Sequence, residues 1–512
     1  MSSLYEQQKG QYLQHLDGGI GNDNRSGRRE EMRTAPLLSL AAKHAVDHDD
    51  EHDIDFSYAS TSSGSDEQTT PSDVVFPQYS LLGFQIGRHE HIAQHEPILF
   101  NTNAPNSIFI CGSQGSGKSH TLSCMLENCL LQDDGVGTLA KPLGGVVFHY
   151  DVGGNNSLAE AASLSSRGIP VRVLVSPSNY RKLSEAYGKQ PGTGKITVST
   201  LRFGDSDLNA DRMLKLMAFS ESEGSVPLYM EVIQRILRQR AMEGKPFSFK
   251  EFEGELDKQQ FTPGQQSMMN MRLDLLKSFF ATATALRGGR MSLWEQKAAQ
   301  EAAARQATGW NNAFVIDPGE LLIIELTDPF IDSATACVLF DVCLGLIENN
   351  RPASGLIVAL DEAHKYLHKS TAAANLTENL ITTIREQRHN ATRVVIATQE
   401  PTISEKLLDL CSVSIVHRFT SPAWFGAIKD HLGGASSLTT SGTEQNGMFE
   451  EIVDLLVGES LVFSPSAYVC VVGTEAKKLG SGVVKMKTRM RQGADSGMSK
   501  LAVGRFGALA LE

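Results

Sequence analysis

The stretch SIFICGSQGSGKSHTLSCMLENCLL, residues 107–131, constrains the fold of this 512-residue chain more than any other. Its first residues are apolar strand formers, and apolar residues recur at helical spacing after His120, so the glycines between occupy a strand-to-helix turn. The turn matches GxxxxGK[ST], a pattern in which backbone N–H groups at a helix N-terminus surround phosphate oxygens. A glycine-rich turn without function is the alternative, but the flanking strand and helix favour a triphosphate-binding loop.

The residues of this turn have separate predicted roles. Lys118 would reach the β and γ phosphates as a point charge, and the Ser119 hydroxyl would ligate Mg²⁺. The expected cofactors are therefore ATP and Mg²⁺. The predicted nucleotide-binding residues are Gly112, Ser113, Gln114, Gly115, Ser116, Gly117, Lys118, Ser119 and His120.

A phosphate loop needs an acidic partner at the end of another strand, and GLIVALDEAH provides one. Asp361 stands at the tip of the apolar run and would hold Mg²⁺ through water, whereas Glu362 would orient and deprotonate the attacking water. The alternative is that both carboxylates only cap the following helix. The letters DEAH also occur in helicases, but the acidic motif lies too far from the phosphate loop for that similarity to hold.

A second strand, in RVVIATQEPTIS, ends at Thr398 and Gln399. A polar side chain at such a strand tip can contact the γ-phosphate and the attacking water. Arg385, Arg388 and Arg393 precede the strand, and one of them could project into a neighbouring subunit's site; ordinary surface solvation is the alternative for each.

The remaining pattern alternates strand and helix, and several strands are continuous apolar runs, as expected of a parallel sheet covered on both faces. We predict strands at 107–111, 145–150, 171–175, 195–201, 321–326, 356–360, 394–398, 414–419, 460–463 and 469–472. Residues 207–311 read as a mostly helical insertion, with a capping box at Ser248 and Glu251 and a helix start at Thr262-Pro263. This insertion divides the ATPase core into residues 78–206 and 312–484.

Both ends are predicted to lie outside the core. Residues 1–77 are polar and acidic, which predicts a disordered tail, and most of the net charge of −12 lies there. Residues 485–512 are predicted to form a C-terminal tail, in which KMKTRMR is either solvated or touches a phosphate backbone.

Composition restricts the remaining possibilities. The seven cysteines form no CxxC pair and are interpreted as reduced core residues. No apolar run is long enough to span a bilayer and no signal peptide precedes the core, so we expect a soluble intracellular protein without membrane contact, in the cytoplasm or nucleus.

With these motifs the chain resembles the HerA and FtsK superfamily of P-loop ATPases over about Phe84 to Met486. The motifs are GSQGSGKS, FHYDVGG around Asp151, LDEAH, ATQEPTIS and LVGESLVF. The resemblance implies a RecA-like α/β core with a mostly parallel sheet, assembled into a ring, with a hexamer suspected. It also implies translocation of nucleic acid or polypeptide, Gln399 as the sensor and Arg388 as the arginine supplied in trans.

A different class of function stays open at this point. The chain could be a slow nucleotide-dependent switch or scaffold that recruits partners through its acidic tail.

Overall fold

The computed structural model describes residues 24–54, 75–87, 89–152, 158–190, 196–217, 228–244, 246–280, 313–368, 370–401, 403–432 and 442–494. Most of the predicted N-terminal tail (residues 1–23 and 55–74), the end of the predicted insertion (residues 281–311) and residues 495–512 lie outside these ranges. Within these described ranges, no helix is both long enough and apolar enough to cross a membrane.

The described chain alternates strands and helices. The strands are β1 (Leu37–Ser39), β2 (Tyr79–Gln85), β3 (Pro97–Phe100), β4 (Ser107–Cys111), β5 (Gly137–Thr138), β6 (Gly144–His149), β7 (Val171–Val175), β8 (Ile196–Thr200), β9 (Leu321–Glu325), β10 (Leu356–Leu360), β11 (Thr392–Thr398), β12 (Val413–His417), β13 (Glu459–Phe463), β14 (Cys470–Val472), β15 (Glu475–Lys477) and β16 (Val484–Thr488). The helices are α1 (Asn24–Arg33), α2 (Leu40–Ile54), α3 (Lys118–Leu130), α4 (Tyr180–Tyr187), α5 (Ala210–Met217), α6 (Leu228–Met242), α7 (Phe249–Asp257), α8 (Pro263–Ser278), α9 (Ser333–Asn349), α10 (Thr371–Arg385), α11 (Gln387–Asn390), α12 (Glu405–Asp409), α13 (Pro422–Ile428) and α14 (Gly442–Asp454).

One large sheet forms the core, in the order β1-β3-β2-β16-β13-β12-β4-β11-β10-β6-β9-β7-β8. From β12 to β8 every neighbouring pair is parallel. Every residue of β4, β6, β9, β10, β11 and β12 is buried, as a parallel sheet covered on both faces requires. The predicted α/β class with a mostly parallel central sheet is confirmed.

The N-terminal segment differs from its prediction as a disordered tail, because residues 24–54 form helix, strand and helix. Strand β1 pairs antiparallel with β3, and Leu38 is fully buried in a cluster with Leu99 and Tyr468. The physical reason is a local apolar run, APLLSLAAKHAV, which the polar average of residues 1–77 conceals. This run buries enough apolar surface to order its segment against the antiparallel end of the sheet.

The predicted insertion is helical throughout its described part, as α5 to α8. Thr262 caps α8 and forms a capping box with Gln265. The box predicted at Ser248 is absent: the Ser248 side chain makes no capping hydrogen bond, and Glu251 pairs instead with Arg240 on α6. The exposed carboxylate therefore finds a charged partner rather than the helix end.

The cysteines match their prediction, since all seven are free thiols and Cys411 alone among them is more than slightly exposed. Burial raises the pKa of the Cys111, Cys124 and Cys129 thiols to about 12. A thiol with so high a pKa stays protonated and is a poor nucleophile.

The predicted C-terminal tail is also wrong at its beginning, because residues 484–488 form β16 between β13 and β2. Val484, Met486 and Thr488 are buried and alternate with the two lysines, a period-two pattern that marks a strand. Arg489 follows and is 5% exposed. Its guanidinium pairs with Glu127 on α3 at 2.8 Å and donates to the Asn128 side chain at 2.9 Å.

We predict that Arg489→Met destabilises the protein by about 3–5 kcal/mol, because it leaves the Glu127 carboxylate buried without its cation. Urea unfolding followed by circular dichroism measures the change. The matched control is Arg181→Met, which removes an exposed pair with Glu185 on α4 and should cost less than about 1 kcal/mol. A cost for Arg489→Met no larger than that of the control would contradict this role.

Candidate nucleotide site

The glycine-rich loop connects β4 to α3, and its three glycines all have positive φ: 152° at Gly112, 74° at Gly115 and 114° at Gly117. A Cβ on Gly112 would lie 2.7 Å from the His417 Cβ. A Cβ on Gly117 would lie 2.9 Å from the backbone of Gly458. Backbone conformation and close packing therefore both require glycine at these two positions.

The loop is held from the β12 side of the sheet. The Ser113 N–H and hydroxyl both donate to the Arg418 carbonyl, at 2.8 and 2.9 Å, and the Gly458 N–H donates to the Ser116 carbonyl at 2.9 Å. Gln114 and Gly115 are exposed at the tip. The buried Ser116 hydroxyl has no hydrogen-bond partner within the described chain. This preformed, one-sided cradle suits an anion.

Lys118, the first residue of α3, is 5% exposed and donates to the Ser113 carbonyl at 3.0 Å. Burial lowers the pKa of its ammonium group, and the nearby Glu362 and Asp361 carboxylates oppose that shift. The lysine thus lies between the loop and the two acidic residues. Ser119 is half-buried, and the His120 imidazole contacts the Arg489 carbonyl at 2.8 Å.

Asp361 follows β10, and its side chain is almost completely buried. Burial raises the pKa of its carboxyl to about 6, reinforced by Glu362 and Glu160 and opposed by His149 and Lys365. No described residue donates a hydrogen bond to its carboxylate, nor does any bind the Ser119 hydroxyl. A buried carboxylate without a donor, close enough to Lys118 of the phosphate loop to affect its pKa, fits a Mg²⁺ ion, whose positive charge would favour the ionised form.

Glu362 adopts a left-handed backbone conformation, with φ 50° and ψ 42°, which is uncommon outside glycine. Its carboxylate accepts a hydrogen bond of 2.7 Å from the Gln399 side chain. The His364 Nδ1 accepts from the Gln399 N–H at 3.3 Å and lies 3.5 Å from the same Glu362 oxygen. The motifs LDEAH and ATQE, separate in sequence, therefore form one hydrogen-bonded cluster.

The order of the strands explains this meeting. Strand β11 lies between β4 and β10 and is parallel to both, with Thr398 opposite Cys111 and Ile396 opposite Leu360. The carboxyl ends of the three strands therefore share one edge of the sheet. They deliver the phosphate loop, Gln399 and the acidic pair to the same place, as in the switch-point rule for parallel sheets.

Arg385 and Arg388 precede β11 and Arg393 is its second residue, so all three lie at the end of the strand opposite Gln399. Exposed Arg388 on α11 is separated from Gln399 by the full length of the strand, roughly 20 Å at 3.3 Å per residue. Arg393 is buried and donates to the carbonyls of Ala391, Thr102 and Asn103. Its role is therefore structural. The structure does not bring Arg388 to the site of its own subunit.

Asp151 lies near the same edge, at the end of β6. Its N–H donates to the Thr327 hydroxyl at 3.0 Å, and the Lys365 ammonium lies 3.4 Å from its carboxylate. Gly153, the other residue of the predicted match, lies outside the described residues.

A buried network beside Asp361 has no counterpart in the sequence predictions. The His149 imidazole lies 2.8 Å from the Glu325 carboxylate, which also accepts from the Tyr187 hydroxyl at 2.8 Å. Burial alone would lower the pKa of His149, but Glu325 outweighs it and raises that pKa to about 9. Polar residues at the ends of the apolar runs FHYD and LLIIE were the one signal of this network in the sequence.

His417, at the end of β12, is the second residue missed from sequence. It is fully buried and contacts the Thr121 hydroxyl at 3.0 Å and the Glu459 carbonyl at 2.9 Å. Burial lowers the pKa of its imidazole to about 3, so it stays neutral. Its Cβ packs against Gly112 and its ring lies close to Gly117, so the residue supports the loop.

Known proteins resemble this chain only distantly in structure and in sequence. No family model and no curated protein sequence matches the chain. Solved structures similar to it include VirB4 of Thermoanaerobacter pseudethanolicus, with TM-score 0.43, 10% identity, 80% of this chain and 96% of that chain covered. For the bacterial conjugative coupling protein TrwBdeltaN70 the TM-score is 0.42 and the identity 14%, and the match covers 82% of this chain and 95% of that chain. For EssC (ATPases 2 and 3) from Geobacillus thermodenitrificans the TM-score is 0.30 and the identity 14%, and the match covers 81% of this chain and 45% of that chain.

The sheet of this chain itself has the predicted mostly parallel core, with the glycine-rich loop between β4 and α3. The TM-scores of these solved structures are below 0.5 and their identities below 15%. The chemistry of this chain is therefore inferred from the geometry of its own site.

We predict that His417 makes stability depend on pH. Because its pKa falls from the unfolded value of 6.5 to about 3, the unfolded chain binds the extra proton, and stability is lost as pH falls from about 6.5 towards 3. In His417→Gln the slope of unfolding free energy against pH should decrease by up to about 1.4 kcal/mol per pH unit in that window.

Urea unfolding between pH 4 and 7 measures these slopes. Identical slopes for wild type and His417→Gln would show that His417 is not held neutral.

Proposed function

We propose that this chain is a Mg²⁺-dependent ATPase. The observation that carries the proposal is the 2.7 Å hydrogen bond between Gln399 and Glu362, formed where their strands end beside the phosphate loop. A carboxylate and an amide converging on the place where the γ-phosphate ends are the groups that water activation needs. A structural glycine turn alone would not require this cluster.

The loop would bind the phosphates through its backbone N–H groups and through Lys118. The lysine now donates to the Ser113 carbonyl, so binding needs only an exchange of one acceptor for a phosphate oxygen. Its position near both acidic residues would place its charge between the β and γ phosphates, where negative charge develops during transfer.

Ser119 and Asp361 would hold the metal, the serine directly and the carboxylate through water. The ion supplies charge neutralisation to the phosphate oxygens. Asp361 would contribute its carboxylate to the metal site, and its almost complete burial would restrict bulk water there.

Glu362 is proposed to take the proton of the attacking water on its carboxylate. In this structure one carboxylate oxygen accepts from Gln399, which orients the side chain towards β11. His364 holds the Gln399 backbone N–H, so the amide and the carboxylate keep a defined mutual position. When a γ-phosphate is present, the same amide can donate to it and leave Glu362 free to accept the proton.

We predict that Glu362→Gln keeps ATP binding but lowers turnover by roughly 10² to 10⁴-fold, the loss expected for a general base. Lys118→Ala should weaken binding as well, because its charge contacts ground-state and transition-state phosphates alike. Phosphate release and equilibrium nucleotide binding measure the two effects. The matched control is exposed Glu378 on α10, where Glu378→Gln should leave both unchanged.

Turnover in Glu362→Gln equal to that of wild type would show that another residue activates the water. Absence of Mg²⁺-dependent turnover in the wild type, with and without DNA, would contradict the ATPase proposal itself.

We further propose that the chain works as a ring, a hexamer by resemblance, that translocates nucleic acid or polypeptide. The position of Arg388 supports this: it is exposed, and it stands at the end of β11 opposite its own site. An arginine in that position can reach phosphates only in a neighbouring subunit, where it would stabilise the charge of the transition state.

We predict that mixing two inactive variants restores activity. Arg388→Ala keeps Glu362 but lacks the arginine, and Glu362→Gln keeps Arg388 but lacks the base. In a mixed ring, a site with intact Glu362 receives Arg388 from its neighbour, so turnover should rise at least several-fold above that of either variant. As a control, either variant is mixed with a chain that carries both Arg388→Ala and Glu362→Gln. This mixture should give no rescue, because no site then has both residues.

Failure of rescue, with a mass by light scattering that stays monomeric with ATP, would instead support the slow switch or scaffold. In that case ATP would bind without driving assembly, and the acidic N-terminal segment would be tested for partners.

A further inference from the structure

The direction in which a bound nucleotide leaves the phosphate loop is set by the acidic residues. Asp361, Glu362 and Gln399 all follow strands on one side of β4, so a γ-phosphate must face that side. A bound triphosphate would lie along residues 113–119. Its α-phosphate end and the nucleoside would therefore extend to the other side, above β12, β13 and β16.

Two short segments meet the start of α3 on that side. The Gly458 N–H donates to the Ser116 carbonyl at 2.9 Å, and the Arg489 carbonyl lies 2.8 Å from the His120 imidazole. The Lys487 ammonium joins the two segments by donating to the Val457 carbonyl at 2.5 Å. The loop before β13 and the residues after β16 thus form one wall beside the phosphate loop.

The apolar side chains of this wall are largely exposed. Leu456 is 63% exposed, Val457 is 59% exposed and Met490 is 83% exposed. Leu456 and Val457 immediately precede Gly458, and Met490 immediately follows Arg489, so each is within two residues of a backbone group that touches the phosphate loop or its helix. Large apolar side chains left in water beside a ligand loop are typical of a ligand contact.

We propose that Leu456, Val457 and Met490 form the subsite for the base and ribose of the bound nucleotide. This inference rests on the proposed ATPase function. The three side chains offer aliphatic and thioether surface to the flat face of a base, and covering them removes apolar area from water. The loop residues bind phosphates, and this wall adds the nucleoside.

The chemistry of the wall has a consequence for specificity. Leucine, valine and methionine side chains carry no strong hydrogen-bond donor or acceptor. They can therefore cover the face of a base but cannot distinguish bases by hydrogen bonds to the polar edge. Strong discrimination requires a buried polar group that the wrong ligand leaves unpaired. The subsite should therefore bind adenine and guanine nucleotides with affinities within about tenfold of each other.

The test compares nucleotides with inorganic tripolyphosphate, which carries the phosphates without the nucleoside. Leu456→Ser and Met490→Ser, made separately in the full chain, should each weaken ATP and GTP binding roughly 3- to 10-fold, in line with the apolar area lost. Tripolyphosphate binding with Mg²⁺ should stay unchanged. Isothermal titration calorimetry measures all three ligands.

The matched control is Met271→Ser on α8, a methionine that is 73% exposed and outside this wall, and it should change none of the affinities. Unchanged ATP affinity in both wall variants, equal loss for tripolyphosphate, or a preference for one base above about 100-fold would overturn the subsite. A wild-type chain that binds neither ATP nor tripolyphosphate would overturn the ATPase proposal and this inference with it.

Discussion

The parallel alignment of β4, β11 and β10 is the constraint on which the rest of the site depends. Because the strands are parallel and in register, their carboxyl ends coincide, and residues from three distant segments meet at one edge of the sheet. Complete burial of these strands makes the register costly to change, since a shift of one residue would move every side chain to the other face. The hydrophobic core therefore determines the geometry of the chemistry.

The phosphate loop is stabilised from one side and open on the other. Strand β12 supports it through Arg418 and His417, and the turn at Gly458 packs against Gly117. The acidic residues and Gln399 lie across the opening. Rigid support with an open face gives preorganisation, because the N–H groups need little rearrangement when an anion binds.

The last described segment connects this site to the antiparallel part of the sheet. Strand β16 extends the antiparallel part, and Arg489 then fastens the chain to α3 through Glu127 and Asn128. The Gln492 and Gly493 N–H groups also donate to the Glu127 carboxylate, at 2.9 and 2.8 Å. The helix that begins at Lys118 is thus held at both ends, by the loop contacts at its start and by the C-terminal segment near its end.

Sequence alone determined the strand-loop-helix unit around Gly112 to Ser119, the acidic strand end and the polar end of β11, because period and glycine placement are local properties. It also contained the alternation that indicates a parallel sheet. It failed where an average concealed a short signal, at the apolar run of residues 35–46 and at the alternating lysines of β16. Only the tertiary structure decided the strand order, the pairing of Glu362 with Gln399, the placement of Arg388 away from its own site and the buried partners His149 and His417. These depend on contacts between segments far apart in the chain, and no single segment specifies which partner it will contact.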